Sequence, residues 1–385
     1  MGNTTRRAFI KMSSTAAGLG ITAGCSSIKK TSSESNIKTV NGVRYRKLGS
    51  TGFDVSEVGF GAMNMRDPEL VHAAIDMGIN YIDTAHGYMN GVNEEVVGQV
   101  MKTKRDKVFL VTKVHNSEDA NLRKMMELSL KRLQTDHVDT MTLHMPRGRN
   151  EALDENCIKI FEQAKKDGLC RFVGVSTHSN HEEVIKAAID SKFWQSVLVG
   201  YNYTSPQSVT DAIKEARNAG LAVIGMKTMA RGKGYADHNM GDITPVQAAL
   251  KWVLNNPNID TTIPGVTTFE HIGENFKVMS MSLSFDNRPE PYRYSEANVN
   301  NYCCGVAGCS ECDGQCQKGV NVSELNRCLG YVYGYNDMKL ARENFKEFSL
   351  SSMLDKCKDC GECTVKCVNS LNLAENITRA KILFG

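Results

Sequence analysis

From about residue 55 onward, a short apolar run, a polar turn and an amphipathic stretch recur, and this alternation limits the possible fold more than any other feature. The apolar runs are Val58-Gly59-Phe60-Gly61, Tyr81-Ile82-Asp83, Val108 to Thr112, Thr140 to Leu143, Phe172 to Val175, Ser196 to Val199, Leu221 to Met226 and Thr261-Thr262-Ile263. Between them lie stretches with 3.6-residue periodicity, among them Leu122 to Leu133, Ile158 to Lys166, His181 to Ile189, Val209 to Ala219 and Pro245 to Leu254. Continuous apolar strands that alternate with amphipathic helices imply a parallel sheet covered on its outer face. Eight such units in about 220 residues fit a closed (β/α)₈ barrel. An open doubly wound sheet is the alternative, but no G-x-G-x-x-G follows the first strand. The predicted class is therefore α/β: a barrel over residues 37–280, with a smaller domain after it.

In such a barrel the chemistry sits where the strands end at their C-terminal side. Asp83, Lys113 and His144 end the second, third and fourth runs, and Tyr88 follows five residues after Asp83. Any one of them can be a capping or solubilising residue. Four on consecutive units would meet at one rim as a candidate catalytic group.

With these residues in hand, the sequence resembles the aldo-keto reductases from about Tyr45 to Phe276. The likeness is carried by Tyr45-Arg46-Lys47-Leu48-Gly49-Ser50-Thr51-Gly52, Asp83-Thr84-Ala85-His86-Gly87-Tyr88, Thr112-Lys113, and Ser129-Leu130-Lys131-Arg132-Leu133 with Asp136 and Asp139. Leu143-His144, Gly174-Val175-Ser176 and Ile263-Pro264-Gly265 complete it. The resemblance implies that Tyr88 is the general acid, giving its phenol proton to a carbonyl oxygen as hydride arrives at carbon. A phenol of pKa about 10 needs a neighbouring ammonium for this, the role implied for Lys113. Asp83 would hold Lys113, and His144 would polarise the substrate oxygen. For a nicotinamide cofactor, NAD(P)(H), it implies Ser176 at the carboxamide, Tyr201 stacked on the ring, Lys227 at the end of strand seven, and Gly265, Glu274 and Asn275 at the adenosine end. Leu198 stands where many relatives have Gln, while Gly265 and His271 stand where NADP-specific members place cations. The choice between NAD and NADP therefore stays open.

Of the thirteen cysteines, ten fall between Cys303 and Cys367, which marks residues 301–385 as a module with its own chemistry beyond a linker at 281–300. Cys357-x-x-Cys360-x-x-Cys363-x-x-x-Cys367 has the spacing of bacterial ferredoxin ligands. A second set, Cys304, Cys309, Cys312 and Cys316, ends in the same spacing. Ferredoxin logic pairs Cys304, Cys309, Cys312 and Cys367 on one [4Fe–4S] cluster, and Cys357, Cys360, Cys363 and Cys316 on the other. Cys303 can replace Cys304, and Cys328 is spare. Disulfides, zinc and a single cluster are the alternatives. The expectation is a small α-helical, ferredoxin-like domain with two [4Fe–4S] clusters.

Residues 1–36 read as an address and tether rather than fold. Thr5-Arg6-Arg7-Ala8-Phe9-Ile10-Lys11 follows the twin-arginine export pattern, and Thr22-Ala23-Gly24-Cys25 resembles a lipobox with Cys25 as the lipidated residue. The expected location is periplasmic, after passage through the twin-arginine machinery, either lipid-anchored to the membrane at Cys25 or as a plain soluble periplasmic protein. A net charge of +3 without a basic–aromatic stripe argues against nucleic acid. The expected function is carbonyl–alcohol interconversion on a small substrate, coupled through the clusters to a one-electron redox partner protein. The alternative is an electron-transfer or binding protein that keeps a non-catalytic reductase barrel.

Overall fold

The computed structural model describes residues 37–116, 121–229, 243–281, 303, 312, 314–333, 338–347, 349–357, 360, 363–367 and 371–384. The address segment with Cys25, nearly all of the expected linker, and Cys304 and Cys309 lie outside the described residues.

The chain opens with a three-stranded antiparallel sheet of β1 (Lys38–Val40), β2 (Val43–Lys47) and β3 (Asp54–Ser56). Arg46 fixes it to the barrel. Its guanidinium pairs with Glu57 at 2.7 Å and donates to the carbonyls of Leu254 and Ile259, both at 2.7 Å.

The eight apolar runs become β4 (Phe60–Gly61), β5 (Tyr81–Asp83), β6 (Phe109–His115), β7 (Val138–His144), β8 (Cys170–Thr177), β9 (Ser196–Gly200), β10 (Ala222–Met226) and β11 (Thr261–Thr262). They pair in sequence order, all parallel. Parallel bridges Val58–Thr262 and Gly61–Gly265 join the last strand to the first and close the barrel. Gly61 is required at this seam, because a Cβ there would lie 2.6 Å from the Ile263 carbonyl. Leu48, Val55, Tyr81, Phe109, Val111, Leu198 and Ile224 pack together as a plug inside the barrel.

The helices α1 (Pro68–Asp76), α2 (Val92–Lys104), α3 (Leu122–Leu133), α4 (Arg149–Ala152), α5 (Glu155–Lys166), α6 (His181–Ser191), α7 (Gln207–Asn218), α8 (Pro245–Leu254) and α9 (Phe269–Ser280) follow the strands. Their apolar faces form the larger core against the sheet. Helices α3 and α8 keep the bounds expected from periodicity. Helix α5 begins three residues before the expected Ile158, because Asp154 accepts from the Cys157 amide at 2.6 Å and so sets the N-terminus upstream of the first apolar position. Helix α8 starts on Pro245 behind a capping box between Thr244 and Gln247.

The C-terminal module is helical where it is described: α10 (Val322–Tyr333), α11 (Met338–Glu347), α12 (Leu350–Asp355) and α13 (Leu373–Phe384). It has its own core of Val322, Leu325, Leu329, Leu350, Leu354 and Ile377, into which Cys312, Cys328 and Cys357 are also buried. Tyr331 of α10 and Ala341 of α11 are buried with Met63 of the barrel rim packed against them, so this module sits on the mouth of the barrel.

Candidate active site

Strand register brings the first residues together. Asp83 ends β5 beside Val111, and Lys113 lies two residues further along β6, so both side chains reach the same level of the mouth. Lys113 is 1% exposed. Its ammonium donates to Asp83 Oδ1 at 2.5 Å, to the Thr84 carbonyl at 2.7 Å and to the Tyr88 hydroxyl at 3.2 Å. An ammonium has three N–H donors, and these three acceptors match them. Burial lowers the Lys113 pKa, while the charges of Asp83 and Glu94 oppose that drop. Burial likewise raises that of Asp83, against the pull of Lys113. Each partner thus keeps the other ionised in a site that disfavours an isolated charge.

Tyr88 is held by a tight turn. Residues Tyr88–Gly91 form a 3₁₀ turn in which Met89 and Asn90 take φ of 53° and 55°, a left-handed conformation uncommon for such residues. Gly91 follows at φ 91°, and a Cβ there would sit 2.2 Å from the Arg132 guanidinium carbon. Arg132 donates to the His86 carbonyl at 3.3 Å and to Glu94 at 3.4 Å, and Ser129 meets His86 Nδ1 at 3.0 Å. The Ser129–Leu133 motif therefore braces the loop that carries the tyrosine.

His144 ends β7, buried, with its ring edge-on to Tyr88 at 6.0 Å and to His178 at 5.7 Å between centroids. Burial, then the charges of Lys113, His115, Arg327 and Lys227, hold its pKa well below the ordinary imidazole value. It is therefore neutral near pH 7 and able to hydrogen-bond a carbonyl oxygen. Lys227 Nζ lies 2.9 Å from His178 Nδ1. Because an ammonium only donates, His178 accepts there and carries its own proton on Nε2. Burial and then Lys227 and Arg327 hold its pKa down as well.

A cavity of about 330 Å³ runs along these groups. Tyr88, His144, His178 and Lys227 line its catalytic part, and Gly265, Glu274 and Asn275 line its far end, with Arg327 and Tyr331 of α10 forming a wall. A second space of about 900 Å³ reaches Lys113 and His144 from another side, under Lys339, Arg342 and Lys346 of α11.

The four expected catalytic residues thus meet at one place, and Lys227, Gly265, Glu274 and Asn275 line the cavity as expected. Ser176 and Tyr201 do not line it. Ser176 is fully buried, accepting from the Met145 amide at 3.1 Å. Tyr201 turns into the helical layer, where its hydroxyl meets Thr210 at 3.1 Å and Asn256 at 3.2 Å and its ring packs on Trp252. At the end of the neighbouring strand it is Met226 that lines the cavity. Sequence reasoning missed His178, Met226 and Arg327. A signal existed for His178, two residues beyond Ser176 in a matched motif, and for Met226 at a strand end.

In the C-terminal module, Cys316, Cys357, Cys360 and Cys363 line one cavity of about 280 Å³. None of these four is in a disulfide. Lys381 of α13 also lines it and donates to the Cys357 carbonyl at 3.1 Å. Among the described residues, no three or more of His, Cys, Asp and Glu converge as a single metal ion requires. Cys312 and Cys328 are buried in the adjoining core, and Cys367 is half-buried against it.

The barrel and its rim define an oxidoreductase of (β/α)₈ architecture. Residues 57–237 match the model of the aldo/keto reductase family, and the chain contains a domain of that family. The oxidoreductase YqkF of Bacillus subtilis is 27% identical over 284 residues, covering 61% of this chain and 90% of its own. The methylglyoxal reductase DkgB of Escherichia coli O157:H7 is 25% identical, over 60% of this chain and 89% of its own. An aldo-keto reductase of Klebsiella pneumoniae solved in complex with NADPH superposes with a TM-score of 0.56 at 26% identity, covering 68% of this chain and 95% of that one.

Proposed function

We propose that the chain interconverts a carbonyl compound and its alcohol with NAD(P)(H). The observation that supports this best is the Lys113 ammonium held 2.5 Å from Asp83 and 3.2 Å from the Tyr88 hydroxyl. The cofactor suits the long cavity, with Lys227, Gly265, Glu274 and Asn275 to hold it and, at Gly265, no atom within 4 Å of an added Cβ. When bound, it supplies a hydride to the carbonyl carbon. The chain's own residues do the rest. Neutral His144 donates to the carbonyl oxygen and orients it. Tyr88 gives its phenolic proton to that oxygen as the C–H bond forms, leaving an alcohol and a phenolate. Lys113 stabilises that phenolate, and Asp83 keeps the ammonium charged and aimed. In the reverse direction the phenolate takes the alcohol proton.

The cysteine cavity fits an iron–sulfur cluster held by Cys316, Cys357, Cys360 and Cys363, whose thiolates would be its ligands and which would supply one-electron transfer. A second cluster would draw on Cys312 and Cys367 with Cys304 and Cys309. The reading includes export by the twin-arginine route to the periplasm, a lipid anchor at Cys25 and a one-electron protein partner. The test is a paired measurement on protein purified without oxygen. Iron, acid-labile sulfide and bound nucleotide are quantified, and NAD(P)H-dependent carbonyl reduction is compared between wild type and Tyr88→Phe. A loss of about a hundredfold or more in kcat supports the catalytic role. Unchanged turnover removes Tyr88 as the general acid, and no turnover in either form favours instead an electron-transfer protein on an inactive barrel.

A further inference from the structure

The two cavities above Lys113 and His144 share a feature that neither the barrel motifs nor the cysteine spacing foretells. Their outer walls come from the C-terminal module: Arg327 and Glu343 both face the smaller cavity, while the wall of the larger one, with Lys339, Arg342 and Lys346 against Glu343, is cationic. Helix α10 places Arg327 in the wall of the smaller cavity, 3% exposed. Its guanidinium is held rigidly: Nε donates to Glu324 at 2.6 Å, and Nη1 donates to the Tyr331 hydroxyl at 2.9 Å and to Asn344 at 3.0 Å. Helix α11 turns exposed Lys339, Arg342 and Lys346 toward the larger space, where Glu343 is the acidic residue of the lining. Lys227 faces the smaller cavity from the barrel side, held by His178.

Acidic groups are present too. Asp83 is committed to Lys113 at 2.5 Å, and Glu274 accepts from Thr244 at 2.5 Å, towards the cofactor end. Glu343 lies 3.9 Å from Lys339, and Glu324 is the partner of Arg327. At the catalytic imidazoles the balance is one-sided. Lys113, Arg327 and Lys227 are the cations that depress His144, and Lys227 and Arg327 are those that depress His178. The larger space has the excess of positive charge, and low-dielectric walls with such an excess focus the field and concentrate counter-charged solutes.

We propose that the substrate carries a carboxylate beside its reacting carbonyl or alcohol carbon, and that the C-terminal module selects it with Arg327 inside and Lys339, Arg342 and Lys346 at the entrance. This rests on the carbonyl oxidoreductase reading and narrows it. The reacting oxygen meets Tyr88 and His144, while the carboxylate is drawn to the side where Arg327 stands, Lys227 staying with the cofactor. The appended module is then a substrate-recognition element as well as a redox one.

The test compares phenylglyoxylate with its methyl ester, which share the reacting ketone and differ in charge. The intact protein is used, with NADPH and NADH each supplied. The expected kcat/KM for the acid exceeds that for the ester at least tenfold, and the excess falls as salt is raised from 20 to 300 mM, roughly as screening predicts. In Lys339→Gln/Arg342→Gln/Lys346→Gln, all at exposed positions, the acid-to-ester ratio falls about fivefold and its salt dependence flattens. In Arg327→Gln, which removes the inner cation, the ratio falls about tenfold or more. Should that inner variant fail to fold, the exposed triple variant decides. A wild type that prefers the ester, or variants that leave the ratio unchanged, overturn the inference while Tyr88-dependent ester reduction keeps the enzyme reading. Absence of Tyr88-dependent reduction of both compounds overturns the inference together with that reading.

Discussion

The rim of the barrel and the cysteine cavity hold their functional groups in different ways. At the rim, protein groups satisfy one another: Lys113 gives its three protons to Asp83, Thr84 and Tyr88, and Arg132 braces the loop behind them. In the C-terminal module, Cys316, Cys357, Cys360 and Cys363 stand around a volume with no disulfide at any of the four. Strand register positions the first set, so the barrel's own folding builds it. The second set lies outside the described helices, Cys316 ahead of α10 and the other three between α12 and α13, where backbone geometry imposes less. The rim should therefore keep its geometry in any state of the cofactor, whereas the cysteine module should gain stability from the group it binds.

The largest expected effect lies at the rim. Lys113→Met should lower kcat about 10³-fold or more, since it removes both the charge next to Tyr88 and the counter-charge of buried Asp83. Adding Asp83→Asn should restore stability but not turnover, because the lone buried carboxylate is gone while the phenol remains unassisted. The measurement is steady-state kinetics beside thermal unfolding. Recovery of turnover in the double variant would mean that the ammonium acts only structurally.

Next comes the module. Cys357→Ala should remove about one cluster's worth of iron per chain and lower the melting point of the C-terminal transition by several degrees, with the barrel transition unchanged. Iron analysis and two-transition calorimetry check it. Because Arg327 and Cys328 are neighbours on α10, one in the cavity wall and one in the module core, the same variant should also raise KM for substrate. A barrel transition that falls by the same amount would show that the two regions do not differ as argued.

The sequence made the rim legible because strand ends in a parallel barrel have a fixed direction, so Asp83, Lys113 and His144 could be assigned to one mouth from their spacing alone. Tyr201 shows where that logic ends. It lies one residue past β9, where alternation no longer constrains the side chain, and bonds to Thr210 and Asn256 drew it outward. Helix bounds shifted where a polar cap, as at Asp154, lay outside the apolar period. Arg327 was beyond reach for a different reason. Its place in the cavity depends on how a separate module docks, and a basic residue on a helix carries no local mark of such docking.

A smaller effect concerns acid stability. His144 is buried with a pKa well below its ordinary value, so below about pH 6.5 the unfolded chain takes up a proton that the folded chain refuses. Stability attributable to this group is therefore lost as pH falls below that point. His144→Asn should flatten the acid limb of the barrel transition by at most about 1.4 kcal/mol per pH unit. Denaturant unfolding between pH 5 and 7.5 reads it, and an unchanged slope would mean that the imidazole is protonated in the fold.

The smallest expected effect tests whether the two regions unfold independently. Lys251 of α8 is buried in the barrel, and burial, followed by Arg44, lowers its pKa to about 8. The folded chain then releases a proton near pH 8 that the unfolded chain keeps until about 10.4, so the cost is complete below pH 8 and fades as pH rises through that window. Lys251→Met should raise the barrel melting point by about 2–4 °C at pH 7, with the gain shrinking toward pH 10. It lies outside both cavities and should leave kcat/KM within about twofold. If the cysteine module has its own transition, its melting point will not follow this change, since the substitution adds no contact there. A joint upward shift would mean that docking at Tyr331, Ala341 and Met63 couples the regions into one cooperative unit, and the independence drawn from their architecture would then have to be given up.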